Sequence, residues 1–226
     1  MTSTISYDTY PATCRPELMG LWEGPVWHNV PALDVASFRG ESSRHRPQTT
    51  AKLLYSHDKL HGLFKVRDRY VRCVRNRFQD DVFKDSCVEF FVQPKPERGY
   101  FNFEFNCGGG LLATYIVNPT RVKSGFKEFT PLSRDDARQI KIFHSLPAMI
   151  DPEIVEETIW FVEFTIPFTL FEKYVGSIMP VAGQVWRGNF YKCADDSSHP
   201  HWAAWAPVDE LNFHLPRCFG YLNFLR

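Results

Sequence analysis

Apolar and polar positions alternate most cleanly over residues 100–106, Tyr-Phe-Asn-Phe-Glu-Phe-Asn, which predicts a strand. Phe101, Phe103 and Phe105 take one face, while Tyr100, Asn102, Glu104 and Asn106 take the other. Residues 86–93 behave differently. Val88, Phe90 and Val92 fill one face there, but Cys87 and Phe91 flank Glu89 on the other. A strand apolar on both sides belongs inside a sheet or sandwich, and a carboxylate on it needs company. Glu89 is therefore either paired, with Arg67 or Arg72 as candidate partners, or facing a cavity.

The same periodicity predicts strands at 49–55 and 59–68, joined by the polar turn Ser56-His57-Asp58, and further strands at 138–144, 158–166, 184–193 and 219–225. Residues 168–175 read as one or two helical turns before Gly176. The segment 21–38, broken by Pro25 and Pro31, reads as short extended pieces. Residues 118–137 are polar and read as a long connection, and Gly108-Gly109-Gly110 as a tight turn between strands. Residues 1–21 lack periodicity and read as an amino-terminal arm, leaving 22–226 as one domain. The fold expected is all-β, an antiparallel, jelly-roll-like sandwich with minor helix.

Composition agrees with strands: 20 Phe, 9 Tyr and 6 Trp favour a pleated, half-buried surface. The 26 basic and 26 acidic side chains cancel, so no global field draws in nucleic acid or an anionic membrane. The cluster Arg69, Arg72, Arg75 and Arg77 reads as a solvated loop balanced by Asp80, Asp81 and Asp85. The 6 cysteines show no paired spacing and read as reduced thiols. No signal-like start and no membrane-length apolar run is visible. That reading places the chain in the cytoplasm, or outside the cell if a signal has been removed.

Candidate chemistry is densest at His199-Pro200-His201-Trp202-Ala203-Ala204-Trp205. An indole face stacks against the C–H face of a sugar, so Trp202 or Trp205 could be a platform, or both could close one end of the core. His199 and His201, with His214, invite a metal reading, yet their spacing matches neither HExxH nor a Cys/His zinc pattern. Asp68, Asp80, Asp81 and Asp85 could offer oxygen ligands to calcium without an EF-hand spacing. Glu89 and Glu104 could be the two carboxylates of a glycosidase, or acceptors for sugar hydroxyls. No GxSxG or P-loop pattern occurs. A haem-binding redox module, with Met19, Met149 or Met179 and a histidine as axial ligands, is the minor alternative.

Taken in order, several short pieces carry a family likeness. They are Lys52-Leu53-Leu54-Tyr55, Val66-Arg67-Asp68-Arg69-Tyr70-Val71, Asp85-Ser86-Cys87-Val88-Glu89-Phe90-Phe91-Val92, Tyr100-Phe101-Asn102-Phe103-Glu104-Phe105-Asn106, Asn189-Phe190-Tyr191-Lys192-Cys193, His199-Pro200-His201-Trp202 and Phe219-Gly220. Over roughly residues 22–226 the chain resembles carbohydrate-binding module family 9, particularly its stand-alone members. The resemblance implies an antiparallel β-sandwich that binds a mono- or oligosaccharide, in carbohydrate catabolism, with structural calcium in some members. By position it implies Trp205 as one aromatic wall and Phe83 as the other, with Glu89, Asn106 and Glu104 fixing hydroxyls. Trp202, His199 and His201 remain further candidates, and the likeness assigns the histidine motif no role.

Overall fold

The computed structural model describes residues 5–226. The first strands are β1 (Ser6–Pro11), β2 (Leu33–Asp34), β3 (Ser37–Phe38), β4 (Gln48–Tyr55), β5 (Lys59–Asp68) and β6 (Val71–Cys73). A central group follows, β7 (Cys87–Gln93), β8 (Tyr100–Asn106), β9 (Leu111–Val122) and β10 (Gly125–Pro131). After the short helix α1 (Arg134–Ala137) come β11 (Lys141–His144), β12 (Ile150–Ile154) and β13 (Thr158–Pro167). Helix α2 (Phe168–Val175) leads to β14 (Val185–Cys193), β15 (Trp202–Ala204) and β16 (Gly220–Phe224).

Neighbouring strands run β10-β9-β8-β7-β14-β16-β1-β4-β5-β13-β11. The two halves of that series fold onto each other as a sandwich, with β1 shared between them. Inward rings make the core: Phe164 of β13 lies 5.7 Å from Phe90 of β7 and 5.0 Å from Phe105 of β8. Phe64 of β5 meets Phe190 of β14 at 5.8 Å. The alternation of residues 100–106 thus turns Phe101, Phe103 and Phe105 into the core. Its polar partners are left on the outer face of the sheet. Helix α2 closes one side of the core with Phe168, Leu170, Phe171 and Val175, and stops at Gly176, whose φ of +74° suits glycine.

Three segments depart from the sequence reading. The sandwich is mostly antiparallel, but β1 runs parallel to both β16 and β4. Of the arm expected at 1–21, residues 6–11 form β1 within the sheet. Farther along it, the amides of Met19 and Gly20 donate to Glu163 Oε2 at 2.9 and 2.7 Å. The connection expected at 118–137 contains the β9–β10 hairpin, turned at Gly125 (φ +119°), and then α1. Both faces of the hairpin tip are exposed, so no apolar period marked it. The strand expected at 138–144 begins only at Lys141.

Candidate functional site

The outer face of β14, β7, β8 and β9 floors a cleft of about 450 Å³. On β7, Glu89 stands directly across from Glu104 of β8 and from Tyr191 of β14. Asn102 sits two residues before Glu104 and so shares its face. Its amide donates to Glu104 Oε1 at 2.7 Å. Walls rise on both sides. Phe83 comes from the helical turn Val82–Lys84, Arg121, Phe126 and Phe129 from the β9–β10 hairpin, Trp202 from the start of β15, and Phe213 and His214 from the carboxy-terminal loop. Phe213 is held by its ring stack on Tyr191, 4.0 Å between centroids, and Arg121 lies 4.0 Å over Phe126.

The floor is electrostatically unusual. Glu89 is 3 % exposed and has no arginine beside it; its partner is the Cys193 thiol, which donates to Oε1 at 3.1 Å. Arg67, one expected partner, pairs instead with Glu157. Burial, with Cys193 and Glu104 adding to it, raises the Glu89 carboxyl well above its ordinary range. Burial likewise pushes Glu104 up to about 8, against the lowering by its Asn102 hydrogen bond. Two buried acceptors, Glu104 Oε2 and Asn102 Oδ1, have no hydrogen-bond partner among the described residues. Buried polar atoms are rarely left so, and groups of this kind are what an incoming hydroxyl can satisfy. At the wall, Trp202 Nε1 donates to Asp195 Oδ1 at 2.7 Å, which fixes the indole and brings a third, half-buried carboxylate to the same space.

Of the residues singled out in the sequence, the cleft gathers Phe83, Glu89, Glu104 and Trp202. Asn106 lies elsewhere. Its amide donates to Asp85 Oδ2 at 3.0 Å and to the Arg75 carbonyl, while Oδ1 accepts from the Gly110 amide at 2.7 Å, so it ties the turn after β8. Trp205 is also away from the cleft, edge-on to Phe190 at 5.9 Å and packed on the core. A Cβ on Gly220 would come within 2.6 Å of its ring, so that glycine leaves the room the indole needs. Asn102, Cys193 and Asp195 were not singled out as sugar-facing groups. Asn102 was within reach, being on the same predicted face as Glu104; the other two needed the β7–β14 register.

The histidine motif builds something else. Lys192, fully buried, directs its ammonium to Asp68 Oδ2 at 3.3 Å, to His201 Nε2 at 2.7 Å and to the Cys193 carbonyl at 3.0 Å. His201 therefore accepts at Nε2 and donates Nδ1–H to the His199 carbonyl at 2.9 Å. Burial and the neighbouring ammonium push its pKa down to about 3. His45 contacts Asp68 Oδ1 at 2.7 Å, and His199 stacks on Tyr70 at 3.7 Å. His214 is far from this group in role, bonded to the Tyr100 hydroxyl at 2.9 Å in the cleft wall. The three imidazoles thus do not converge on a metal.

The aspartates considered for calcium do not converge either. Asp68 serves Lys192 and His45, and Asp85 serves the Val74 and Arg75 amides, the Arg75 guanidinium and Asn106. Asp80 accepts from the Arg77 amide and Asp81 from Lys84. These four do not fit a calcium ion. Met19, Met149 and Met179, considered for haem, are all exposed. All six cysteines are free.

Solved structures resemble the whole chain. A candidate carbohydrate-binding protein from Bacteroides uniformis is 27 % identical with a TM-score of 0.85, covering 98 % of this chain and 100 % of its own. A carbohydrate-binding module of family 9 from Caldicellulosiruptor kristjanssonii in complex with glucose matches at a TM-score of 0.58 and 16 % identity, over 97 % of this chain and 95 % of its own. The module in complex with cellotriose matches at 0.59 and 15 %, over 98 % and 94 %. At those identities the modules speak to the fold. Among curated proteins, none matches the chain in sequence with significance. The family model described as carbohydrate-binding family 9 covers residues 27–224, from the buried Trp27 through to Phe224 in the last strand, and to that family the chain belongs.

Proposed function

We propose that the chain binds a mono- or oligosaccharide in the cleft on the outer face of β14, β7, β8 and β9. The observation that carries this reading is the pair of unpartnered acceptors, Glu104 Oε2 and Asn102 Oδ1, on the floor of a cleft walled by Phe83, Trp202, Phe126 and Phe213. Sugars offer hydroxyls around the ring edge and apolar C–H faces above and below, which is the complement of such a lining. Its volume falls among small-molecule sites, roughly 300–1,000 Å³. Family membership supports the assignment, as do the glucose and cellotriose bound by the two family modules of the same fold. A place in carbohydrate catabolism is part of the same proposal.

The carboxyl pair argues for binding over hydrolysis. A glycosidase needs one carboxyl protonated and a second ionised, flanking the scissile bond. Glu89 and Glu104 instead stand side by side in the floor, and burial drives both the same way. Calorimetric titration with glucose, xylose, cellobiose and xylobiose tests the assignment. Saturable heat that disappears in Trp202→Ala is expected, and a flat response to all four sugars would overturn it.

A further inference from the structure

Cys87 and Glu89, two residues apart on β7, share a face, and Cys193 stands directly across from Cys87 on β14. Both Sγ atoms and a Glu89 carboxylate oxygen lie within 4.8 Å of one another, and all three side chains are buried. We propose that Cys87, Cys193 and Glu89 hold a zinc ion in the floor of the cleft, with the fourth coordination position turned toward Glu104.

The donor set selects the metal. Two sulfurs with one carboxylate suit a borderline ion such as Zn²⁺ and are poor for Ca²⁺ or Mg²⁺, which take oxygen shells. A tetrahedral zinc with ordinary bond lengths spaces its donors roughly 3.3–3.8 Å apart. The 3.1 Å separation of Cys193 Sγ from Glu89 Oε1 is already close to that, and Cys87 Sγ lies within 4.8 Å of both. Strands on either side hold all three from rigid backbone, through the register Cys193↔Cys87 and Glu89↔Glu104.

A second observation points to an occupant. Glu104 is 4 % exposed, and its Oε2 has no partner among the described residues, although it stands beside Glu89 over the same floor. It is placed to receive a metal-bound water. Coordination turns the two thiols into thiolates, so protons leave as the ion binds. Cys73 and Cys107, also adjacent, lack the carboxylate, since nearby Asp85 is committed to Arg75 and backbone amides.

The test uses the full chain, reduced, stripped with chelator and free of sugar, so that it stands or falls apart from saccharide binding. Titration with Co²⁺ is expected to develop thiolate-to-cobalt charge-transfer absorption, saturating at one ion per chain and displaced by Zn²⁺. The band should persist in Cys14→Ser and Cys218→Ser and vanish in Cys193→Ser. X-ray absorption at the zinc edge of the loaded wild-type protein provides a reading that needs no variant, with two sulfur ligands and oxygen expected. Absence of the band, its survival in Cys193→Ser, or a shell of nitrogen and oxygen alone would overturn the site.

Discussion

The Lys192 ammonium lies 3.3 Å from the Asp68 carboxylate, and neither side chain has any exposure to solvent. This is the internal ion pair of the sandwich, joining β14 to the end of β5 across the layers, and His201 completes it as a neutral acceptor. Burial would raise the Asp68 carboxyl, yet the Lys192 ammonium and the hydrogen bond from His45 hold it below the usual carboxylate range.

Removing one member of such a pair strands the other. Lys192→Ala is expected to destabilise the fold by about 3–5 kcal/mol in urea unfolding, because the Asp68 charge loses its partner. Lys192→Met combined with Asp68→Asn should recover part of that loss. A double variant no more stable than Lys192→Ala would show that the pair contributes through something other than charge compensation.

Trp202 and Trp205 divide the two roles that the sequence left open for both. Trp202→Ala should weaken or abolish sugar binding while shifting the unfolding midpoint little, since the indole is half-buried at the cleft. Trp205→Ala should lower stability by about 3 kcal/mol through lost packing on Phe190. Its sugar affinity, measured well below the new midpoint, should stay within about threefold of wild type, a difference of under 1 kcal/mol.

Glu104 makes stability depend on pH in a defined direction. Its folded pKa, about 8, lies above the ordinary carboxyl value of 4.5. Between those values the native state holds a proton that the unfolded chain releases, so stability falls as pH rises through that window and is fully present below it. Glu104→Gln should therefore match wild type near pH 4 and exceed it in melting temperature near pH 9. Equal slopes for the two proteins would place the ionisation elsewhere.

Glu163 anchors the segment before β2. Its carboxylate accepts from the Met19 and Gly20 amides and from Trp27 Nε1 at 2.9 Å. Glu163→Ala should cost about 3 kcal/mol and speed amide exchange at Met19 and Gly20. Unchanged exchange at those two amides would mean that the segment is held by its apolar contacts alone.

The strands were legible where one face was apolar. The pair β4 and β5 and the run of β8 follow from period two, and α2 from its apolar stripe before Gly176. The β9–β10 hairpin was not, because residues 117–131 are all exposed or half-buried with no apolar alternation, and only a glycine turn marks them. The cleft was legible to the extent that faces are: Glu89 needed company and Glu104 sat on a polar face. Asn106 shares that face, but its position next to the glycine turn gives it Asp85, Arg75 and Gly110 to satisfy instead. Trp205 lies past the end of β15, where alternation no longer says which way a ring points. The Cys193–Glu89 partnership depends on the β7–β14 register between strands about 100 residues apart, and Lys192–Asp68 on how the two layers stack, and periodicity encodes neither.

Strand β1 pairs with β16, Ser6 opposite Tyr221 and Thr9 opposite Phe224, before it crosses to β4. The seam between the layers is thus stitched by segments more than 200 residues apart, the longest loop closure in the molecule. During synthesis the early strands must wait, edges uncovered, until residues 220–224 have emerged. Folding of this chain should accordingly be slow and dominated by late events, with β4 and β16 as the edges at risk of joining the wrong neighbour.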